Sequence, residues 1–184
     1  MHSADPAESV REQILASHGL DALEDDPEIN AVVKFAAELC NTPLSTVTVV
    51  EADRQWFLSR EGIVERETHR STSFCAHSMQ GKSPMVVPDA TKDPRFADFS
   101  LVTGPENIRF YAGVPLHAED GTPIGALCVI DTVPRPEGLT PFQLKGLETL
   151  AQSVTCRMRH NRERREAAVS YTHLRAHETK AKLV

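Results

Sequence analysis

The sequence predicts an α+β domain with an antiparallel sheet and two terminal helices packed together on one face. Amphipathic segments that suit helices stand near the two ends of the chain, at 27–41 and 140–165. Between them lie two pairs of apolar, β-branched segments separated by short polar turns, which is the pattern of antiparallel hairpins. Strands that are grouped between helices, instead of alternating with them, are typical of this fold class.

The helices are predicted from capping residues and apolar spacing. A short first helix is expected over 8–17 and ends before a glycine. In the second helix Asp26 is placed to cap, Pro27 suits the first turn, and apolar residues recur every three or four positions. The last helix begins at 140 and is expected to run past Arg159.

Two hairpins and one short strand account for the predicted sheet. The first hairpin pairs 44–50 with 55–60, and the second pairs 108–116 with 123–131 across the polar turn "HAEDG". The strands of the second hairpin are apolar over most of their length, so they are expected at the centre of the sheet with both faces covered. A short apolar strand ends at Pro88.

Composition excludes several classes of function. The 184 residues are 40% hydrophobic and 25% charged, with a net charge of −6, which gives no electrostatic basis for binding nucleic acid or an anionic membrane. No leader or membrane-spanning segment is apparent, so a cytoplasmic protein is expected. The four cysteines are far apart and form no C-x-x-C motif, which predicts reduced thiols and no metal site.

Five segments follow one another in a familiar order: "SFCAHSM", "VVPDATKDPRFAD", "LVTGPENIRFYAGVPL", "DGTPIGALCVID" and "LTPFQLKGLETLA". With these segments the chain resembles the GAF sensory domain found upstream of bacterial histidine kinases and diguanylate cyclases. The resemblance covers roughly residues 20–155. It implies a six-stranded antiparallel sheet with the terminal helices on the back, and a small-molecule pocket formed by loops and short helices on the other face.

The resemblance divides the chain into four parts. Residues 1–19 are an N-terminal extension with a short helix, 20–155 form the GAF domain, and 156–169 are a charged helical extension toward an output domain that this chain lacks. Residues 170–184 are expected to be a non-native tail. "SYTHLRAHET" has no period that continues the preceding helix, and it looks like translated adapter sequence.

Cys75 and His77 stand two positions apart in "SFCAHSM", which suggests a thiol nucleophile with its base. The segment favours a short helix capped from within 71–73, and residues two apart on a helix point in different directions. An extended segment would place both on one face. The helical interpretation is preferred. The resemblance implies that this helix lies beside the pocket, so we expect one of the two to contact a ligand while the other packs.

The loop "PDATKDPRF" has a structural and a functional interpretation. Asp89 and Asp93 each stand beside a proline and suit Asx turns, which favours a capped turn over an acid–base cluster with Arg95. The alternative is a loop that closes over the pocket.

Arg109 begins a predicted central strand in "IRFYAGVPL". Alternation sends Phe110 to one face of the sheet and Arg109 with Tyr111 to the other. A guanidinium beside a buried strand needs a partner, either a carboxylate or an anionic ligand. We expect an internal ion pair with one of three acids: Asp89, Asp98 or Asp131.

The predicted function is non-catalytic sensing of a small molecule whose identity the sequence does not give. The ligand-binding residues expected from the resemblance and these motifs are Phe74, Cys75, His77, Val87, Asp89, Phe96, Arg109, Phe110 and Tyr111. The C-terminal helix is expected to form a weak homodimer and to pass the ligand state to a histidine kinase or diguanylate cyclase output domain. No cofactor is assigned.

Two other functions occur on the same fold. A free methionine sulfoxide reductase needs two cysteines close together, and Cys75 with Cys128 is the one plausible couple, although Cys128 stands where sensory members place a small core residue. A bilin photoreceptor needs a pigment-holding cysteine, but no cysteine here is followed directly by histidine, and aromatic residues make up 5% of the chain.

Overall fold

The computed structural model describes the backbone of residues 6–181 and the side chains of residues 7–171. Within that range no helix combines the length and apolarity that a membrane span requires. The helices are α1 (Pro6–His18), α2 (Pro27–Cys40), α3 (Phe74–Ser78), α4 (Ser100–Thr103) and α5 (Pro141–Ala181). The strands are β1 (Leu44–Val50), β2 (Arg54–Glu61), β3 (Glu67–His69), β4 (Met85–Val87), β5 (Phe110–His117) and β6 (Pro123–Asp131).

The six strands form one antiparallel sheet in the order β3-β2-β1-β6-β5-β4. Both predicted hairpins are present, and β5 and β6 lie inside the sheet as their apolar sequences predict. The predicted α+β fold with a six-stranded antiparallel sheet is confirmed.

The helix face of the sheet is covered by α2 and α5. Asp26 caps α2 by accepting hydrogen bonds from the backbone N–H groups of Glu28 and Ile29, and Asn41 ends the helix in the left-handed conformation. The apolar stripe of α2 then packs against the inward residues of the sheet. The core on this face includes Ile29, Val33, Val47, Val49, Leu127, Val129, Leu147 and Val154.

Helix α1 is part of the domain, whereas the sequence predicted an extension over 1–19. Leu15 belongs to the helix-face core. The buried Arg11 donates a 2.6 Å hydrogen bond from Nη1 to the Val50 carbonyl at the end of β1. Because the Arg11 guanidinium satisfies the carbonyl at the end of β1, it holds α1 against that end of the strand. Residues 1–5 of the predicted extension lie outside the described residues.

Helix α5 packs on the domain beyond the predicted boundary at 155. Met158 is 1% exposed in the helix-face core, and Arg157 Nη2 donates to Asp26 Oδ2 at 2.6 Å. Asn161 Nδ2 donates to the carbonyls of His18 and Gly19, both at 3.1 Å. The domain therefore includes α5 to about residue 161. Met158, which stands among charged residues, provides the apolar contact of this part of the helix.

The helix also continues through Ala181, so the expectation that the helical pattern stops near residue 170 is wrong. Side chains from Glu163 to Tyr171 are exposed. This part of α5 is a solvated helix with little contact to the domain. That the sequence from 170 is a non-native tail stays an expectation, and residues 182–184 lie outside the described residues.

Candidate functional site

A cavity of about 220 Å³ lies on the face of the sheet opposite α2 and α5. Its walls come from the central strands, from α3, and from the segments 62–68 and 101–108. The lining residues are Leu44, Thr46, Thr48, Gln55, Phe57, Gly62, Ile63, Glu65, Thr68, Phe74, Cys75, Leu101, Glu106, Ile108, Tyr111, Cys128 and Ile130. An apolar cleft with a few convergent polar groups is the usual form of a small-molecule site.

Aromatic rings form one wall of the cavity. The rings of Phe74 and Tyr111 stack with centroids 5.2 Å apart, and Phe96 stacks on the other side of Phe74 at 4.5 Å. Phe99 completes the cluster in an edge-to-face contact with Phe96, with the ring centroids 5.4 Å apart. Such packing fixes the ring planes, so this wall of the cavity is formed before a ligand binds.

Polar atoms form another part of the lining, which we call the thiol–hydroxyl floor and define as Thr46, Thr48, Cys75, Tyr111 and Cys128. The two threonines alternate on β1 with valines that face the helices, as period-two strands require. Thr46 stands directly opposite Cys128 in the sheet register, which places Oγ1 3.1 Å from the thiol sulfur. Thr46 Oγ1 is also 2.9 Å from Thr48 Oγ1.

Gly113 makes room for the phenol of Tyr111 on this floor. A Cβ atom at Gly113 would lie 2.1 Å from the Tyr111 hydroxyl oxygen, a distance that no real contact allows. The hydroxyl therefore reaches along its own strand and donates to Cys75 Sγ at 3.3 Å. Glycine at this strand position is explained by the close approach of that ring.

Helix α3 turns Cys75 toward the floor. Ser73 caps the helix by accepting a 2.9 Å hydrogen bond from the Ala76 N–H, and the buried Cys75 lies 3.4 Å from Thr48 Oγ1 and 3.7 Å from Cys128 Sγ. His77 points elsewhere and is exposed, and its ring centroid lies 5.0 Å from that of the buried Phe96. The two side chains therefore do not face each other, as expected for residues two apart on a helix, and the absence of a nucleophile–base pair stays a prediction.

The two cavity thiols differ in acidity. Hydrogen bonds with Cys128, and then with Thr48 and Tyr111, hold the pKa of the Cys75 thiol below its usual value despite burial. The hydrogen bond with Cys75 and burial together raise the pKa of Cys128 well above its usual value. If one of the pair ionises, it is Cys75.

The cavity mouth carries negative charge only. Glu65 and Glu106 line it, both are exposed, and neither forms an ion pair with any residue whose side chain is described. The lining residues include no lysine, arginine or histidine. An anionic ligand would find no cation here, and an uncharged or cationic one would meet no repulsion.

Three of the nine predicted ligand-binding residues line the cavity: Phe74, Cys75 and Tyr111. Phe96 stands behind Phe74 in the aromatic cluster. His77 borders a separate shallow depression beside Arg70, where burial and the charge of Arg95 lower the pKa of its imidazole.

Val87 and Asp89 lie at another surface depression, outside the cavity. Asp89 Oδ1 accepts hydrogen bonds from the N–H and the hydroxyl of Thr91, at 3.1 and 2.7 Å, and so caps a short turn. Asp93 Oδ2 accepts from Arg95 Nη2 at 2.6 Å. The preferred structural interpretation of this loop is therefore confirmed.

The prediction that Phe110 binds the ligand is wrong for this cavity, because Phe110 lies in the helix-face core and does not line the cavity. Alternation along β5 already separates it from Tyr111. It packs 5.3 Å from the guanidinium of Arg135, which pairs with Asp131 through Nη2 at 2.6 Å.

The predicted internal ion pair of Arg109 is also wrong, because Arg109 forms no ion pair with any carboxylate among the described side chains. Its Nη1 donates to the carbonyls of Val102 and Ile108, at 2.9 and 3.0 Å, and its Nη2 donates to Asn107 Oδ1. Backbone carbonyls thus supply the partner that the sequence assigned to an acid. The residue braces the end of α4 and is absent from the cavity lining.

The sequence missed most of the polar lining. Thr46 and Thr48 were assigned to a strand without a role, and Gln55, which donates to Thr68 Oγ1 at 2.6 Å, was not singled out. The available signal was the alternation of threonine with valine in "STVTVV", since polar residues on one face of a central strand mark a face that is not ordinary core. No cluster of three or more metal-ligating side chains occurs in the part of the chain that the structure describes.

The sequence matches the GAF domain family over residues 17–157. A cyclic di-GMP phosphodiesterase of Pseudomonas aeruginosa is 39% identical over 133 residues, which cover 72% of this chain. The chain spans 22% of the length of that relative, so the comparison covers one region of a larger protein.

Solved structures share the fold at low sequence identity. The domain of a putative two-component sensor histidine kinase protein from Sinorhizobium meliloti is 19% identical with a TM-score of 0.55, covering 76% of this chain and 93% of that one. The blue-light absorbing form of the PixJ GAF domain from Thermosynechococcus elongatus is 12% identical with a TM-score of 0.62, covering 93% and 98%.

A type II free methionine-R-sulfoxide reductase from Thermoplasma acidophilum is also 12% identical, with a TM-score of 0.59, covering 77% of this chain and 95% of that one. At such identities these structures share the fold alone with this chain. The six-stranded sheet, the cavity on its open face and the match over residues 17–157 agree, and the chain belongs to the GAF domain family.

Proposed function

We propose that this GAF domain is a non-catalytic, cytoplasmic sensory module that binds a small molecule in the cavity beneath α3. The observation that carries the proposal is the cavity itself, with a stacked aromatic wall and a fully hydrogen-bonded polar floor. Rings and aligned polar atoms that are held in place before binding reduce the entropy cost of binding.

The ligand class follows from size and charge. A dry cavity of about 150 Å³ accommodates benzene, so 220 Å³ suits one ring with a short polar chain. The ring would lie against Phe74 and Tyr111, and the polar chain would reach the hydroxyls of Thr46 and Thr48. Because both ionisable groups at the mouth are carboxylates, the ligand is uncharged or cationic.

The output of the proposed sensor lies outside this chain. The relative named a cyclic di-GMP phosphodiesterase supports an output in cyclic di-GMP signalling, and a histidine kinase output remains the other proposal. Helix α5 would carry the signal, because it packs on the domain to Asn161 and then continues as an exposed helix.

We also propose that the exposed part of α5 pairs with the same helix of a second copy in a weak homodimer. Val169 is 58% exposed there, and it would be covered by the partner. Analytical ultracentrifugation tests the proposal. A chain that stays monomeric at high micromolar concentration would contradict it.

Three probes that share a phenyl ring and differ in charge test the ligand class: 2-phenylethylamine, 2-phenylethanol and 3-phenylpropionate. We expect the amine and the alcohol to bind by calorimetry, and the anion to bind weakest. In a Glu65→Gln/Glu106→Gln variant the preference for the amine over the alcohol should fall by up to about fivefold, the range of exposed charge pairs. Glu38→Gln, on the exposed side of α2, is the matched control.

Leu101→Trp tests the site. This half-buried side chain lines the cavity near its mouth, so an indole there should fill the cavity and abolish binding while stability stays close to wild type. Unchanged binding in this variant would overturn the proposed site. A visible colour in the purified protein would indicate a pigment, and turnover of free methionine sulfoxide would indicate a reductase.

A further inference from the structure

Cys75 and Cys128 form a thiol pair that sensing does not require. Their sulfur atoms lie 3.7 Å apart, and both residues line the cavity although they are 3% and 0% exposed. The other two cysteines have different surroundings. Cys40 is buried in the helix-face core and Cys156 is exposed on α5.

The surroundings of the pair assign different roles to the two sulfurs. Cys75 has Thr48, Tyr111 and Cys128 within hydrogen-bond reach, at 3.4, 3.3 and 3.7 Å. Three groups that can donate to one sulfur stabilise a thiolate there, and the thiolate is the reactive form of cysteine. Cys128 has fewer such neighbours, since only Thr46 Oγ1 at 3.1 Å and the Cys75 sulfur lie within hydrogen-bond reach of it among the described residues.

We propose that Cys75 and Cys128 are a redox site, and that a small hydroperoxide entering the cavity oxidises them to a reversible disulfide. The co-reactant is named by class because the cavity admits compounds of that size and its floor presents both sulfurs. The inference does not depend on which ligand the cavity senses, or on whether it senses one.

The chemistry has two balanced steps. The Cys75 thiolate attacks the distal oxygen of the hydroperoxide, the O–O bond breaks, and the leaving alkoxide or hydroxide takes the proton that Cys75 released. The product is a sulfenic acid on Cys75. The Cys128 sulfur then attacks that sulfenic sulfur, its proton and the hydroxyl leave as water, and the S–S bond forms. Two thiols are oxidised by two electrons and one peroxide is reduced.

Disulfide formation would reshape the cavity. The sulfurs must approach from 3.7 Å to about 2.05 Å, the length of an S–S bond. Cys128 is on a central strand that is paired on both sides, whereas Cys75 is on the five-residue helix α3. Helix α3 therefore makes the movement, and it carries Phe74 of the aromatic wall with it.

Intact mass spectrometry of the full chain tests the proposal, with Cys156→Ser as the parent to remove exposed-thiol chemistry. After brief hydrogen peroxide, we expect a loss of about 2 Da that dithiothreitol reverses, as two thiols become one disulfide. Peptide mapping should find Cys75 linked to Cys128 and Cys40 free, since burial raises the pKa of Cys40 to about 11.

Cys128→Ser in the same parent should stop the reaction at the sulfenic acid, which dimedone traps on Cys75. Two outcomes would overturn the proposal. In one, the pair stays reduced under peroxide that fully oxidises Cys156 in the wild-type chain. In the other, Cys75 proceeds to sulfinic acid while Cys128 remains free. The peroxide dose is set on Cys156 in the wild-type chain, and in both outcomes the state of the pair is read in the Cys156→Ser parent, in which the pair and its surroundings are intact.

Discussion

The same strands form both faces of the sheet, but one face is a packed core and the other contains a cavity. On the helix face, aliphatic side chains from β1, β5 and β6 meet the stripes of α2 and α5 in a continuous core. On the cavity face, the alternate residues of those strands include two threonines, one cysteine and a tyrosine, and they are covered by the five-residue α3 and by loops.

The difference shows where stability and binding are separated in this domain. Two long helices with apolar stripes bury most of the aliphatic surface, which is the main source of folding free energy. The cavity face satisfies its polar atoms among themselves and leaves a space unfilled. Substitutions on the helix face should therefore act on stability, and those on the cavity face on binding.

The largest effect is expected from shortening α5. Truncation after Val154 removes the buried Met158 and the Arg157–Asp26 pair, so the free energy of unfolding should fall by at least about 3 kcal/mol in urea denaturation. Among the side chains that the structure describes, truncation after Glu166 removes exposed ones, and it should cost less than about 0.5 kcal/mol. Equal stability of the two truncated chains would contradict the packing of α5.

Adjacent residues of β6 compare the faces directly. Leu127 points to the helix-face core and Cys128 to the cavity floor, and both are fully buried. Leu127→Ala should cost about 3 kcal/mol, because it opens a void in a packed core. Cys128→Ala should cost about 1 kcal/mol, since it removes one sulfur beside an existing space. A larger loss at Cys128, in the same denaturant assay, would show that the cavity face also determines stability.

Glu8 connects the two faces, because it accepts hydrogen bonds from Arg11 of α1 and, at 2.6 Å, from Arg70 before α3. The Arg11 hydrogen bond, opposed by burial and supported by Arg70, lowers the pKa of Glu8 from 4.5 to about 2. A depressed folded-state pKa contributes stability that is present above pH 4.5 and is lost as the pH falls toward 2.

Glu8→Gln should therefore cost about 1 kcal/mol at pH 7, and the difference from wild type should shrink as the pH falls below about 4. Chemical denaturation across this pH range measures it. Glu38→Gln provides the control, because this exposed carboxylate forms no ion pair with a described side chain. A Glu8→Gln difference that stays constant with pH would refute the ionic link.

The smallest effect is expected at the loop that the sequence placed beside the ligand. Asp89 caps its own turn outside the cavity, so Asp89→Ala should lower stability only slightly and leave 2-phenylethanol affinity within about twofold. Calorimetry decides it. A tenfold loss of affinity would return this loop to the binding site.

Capping residues, apolar spacing and strand alternation predicted the fold, because each is a local property of the chain. The cap at Asp26 and the two hairpins are examples. Alternation also separated Phe110 from Tyr111. The rest depended on contacts between distant segments: the carbonyls that satisfy Arg109, the space at Gly113 for a phenol, and the core position of Met158 in a charged helix. No local pattern encodes those contacts.

The most direct test of the separation between the faces is a backbone amide NMR titration of the full chain with 2-phenylethanol. We predict shift changes at Thr48, Cys75, Tyr111 and Cys128 that saturate together, with the amides of Val33 and Leu147 on the helix face unchanged. Leu101→Trp should remove the shifts. Saturable shifts centred on the α2–α5 face, or on the depression beside His77, would contradict the account.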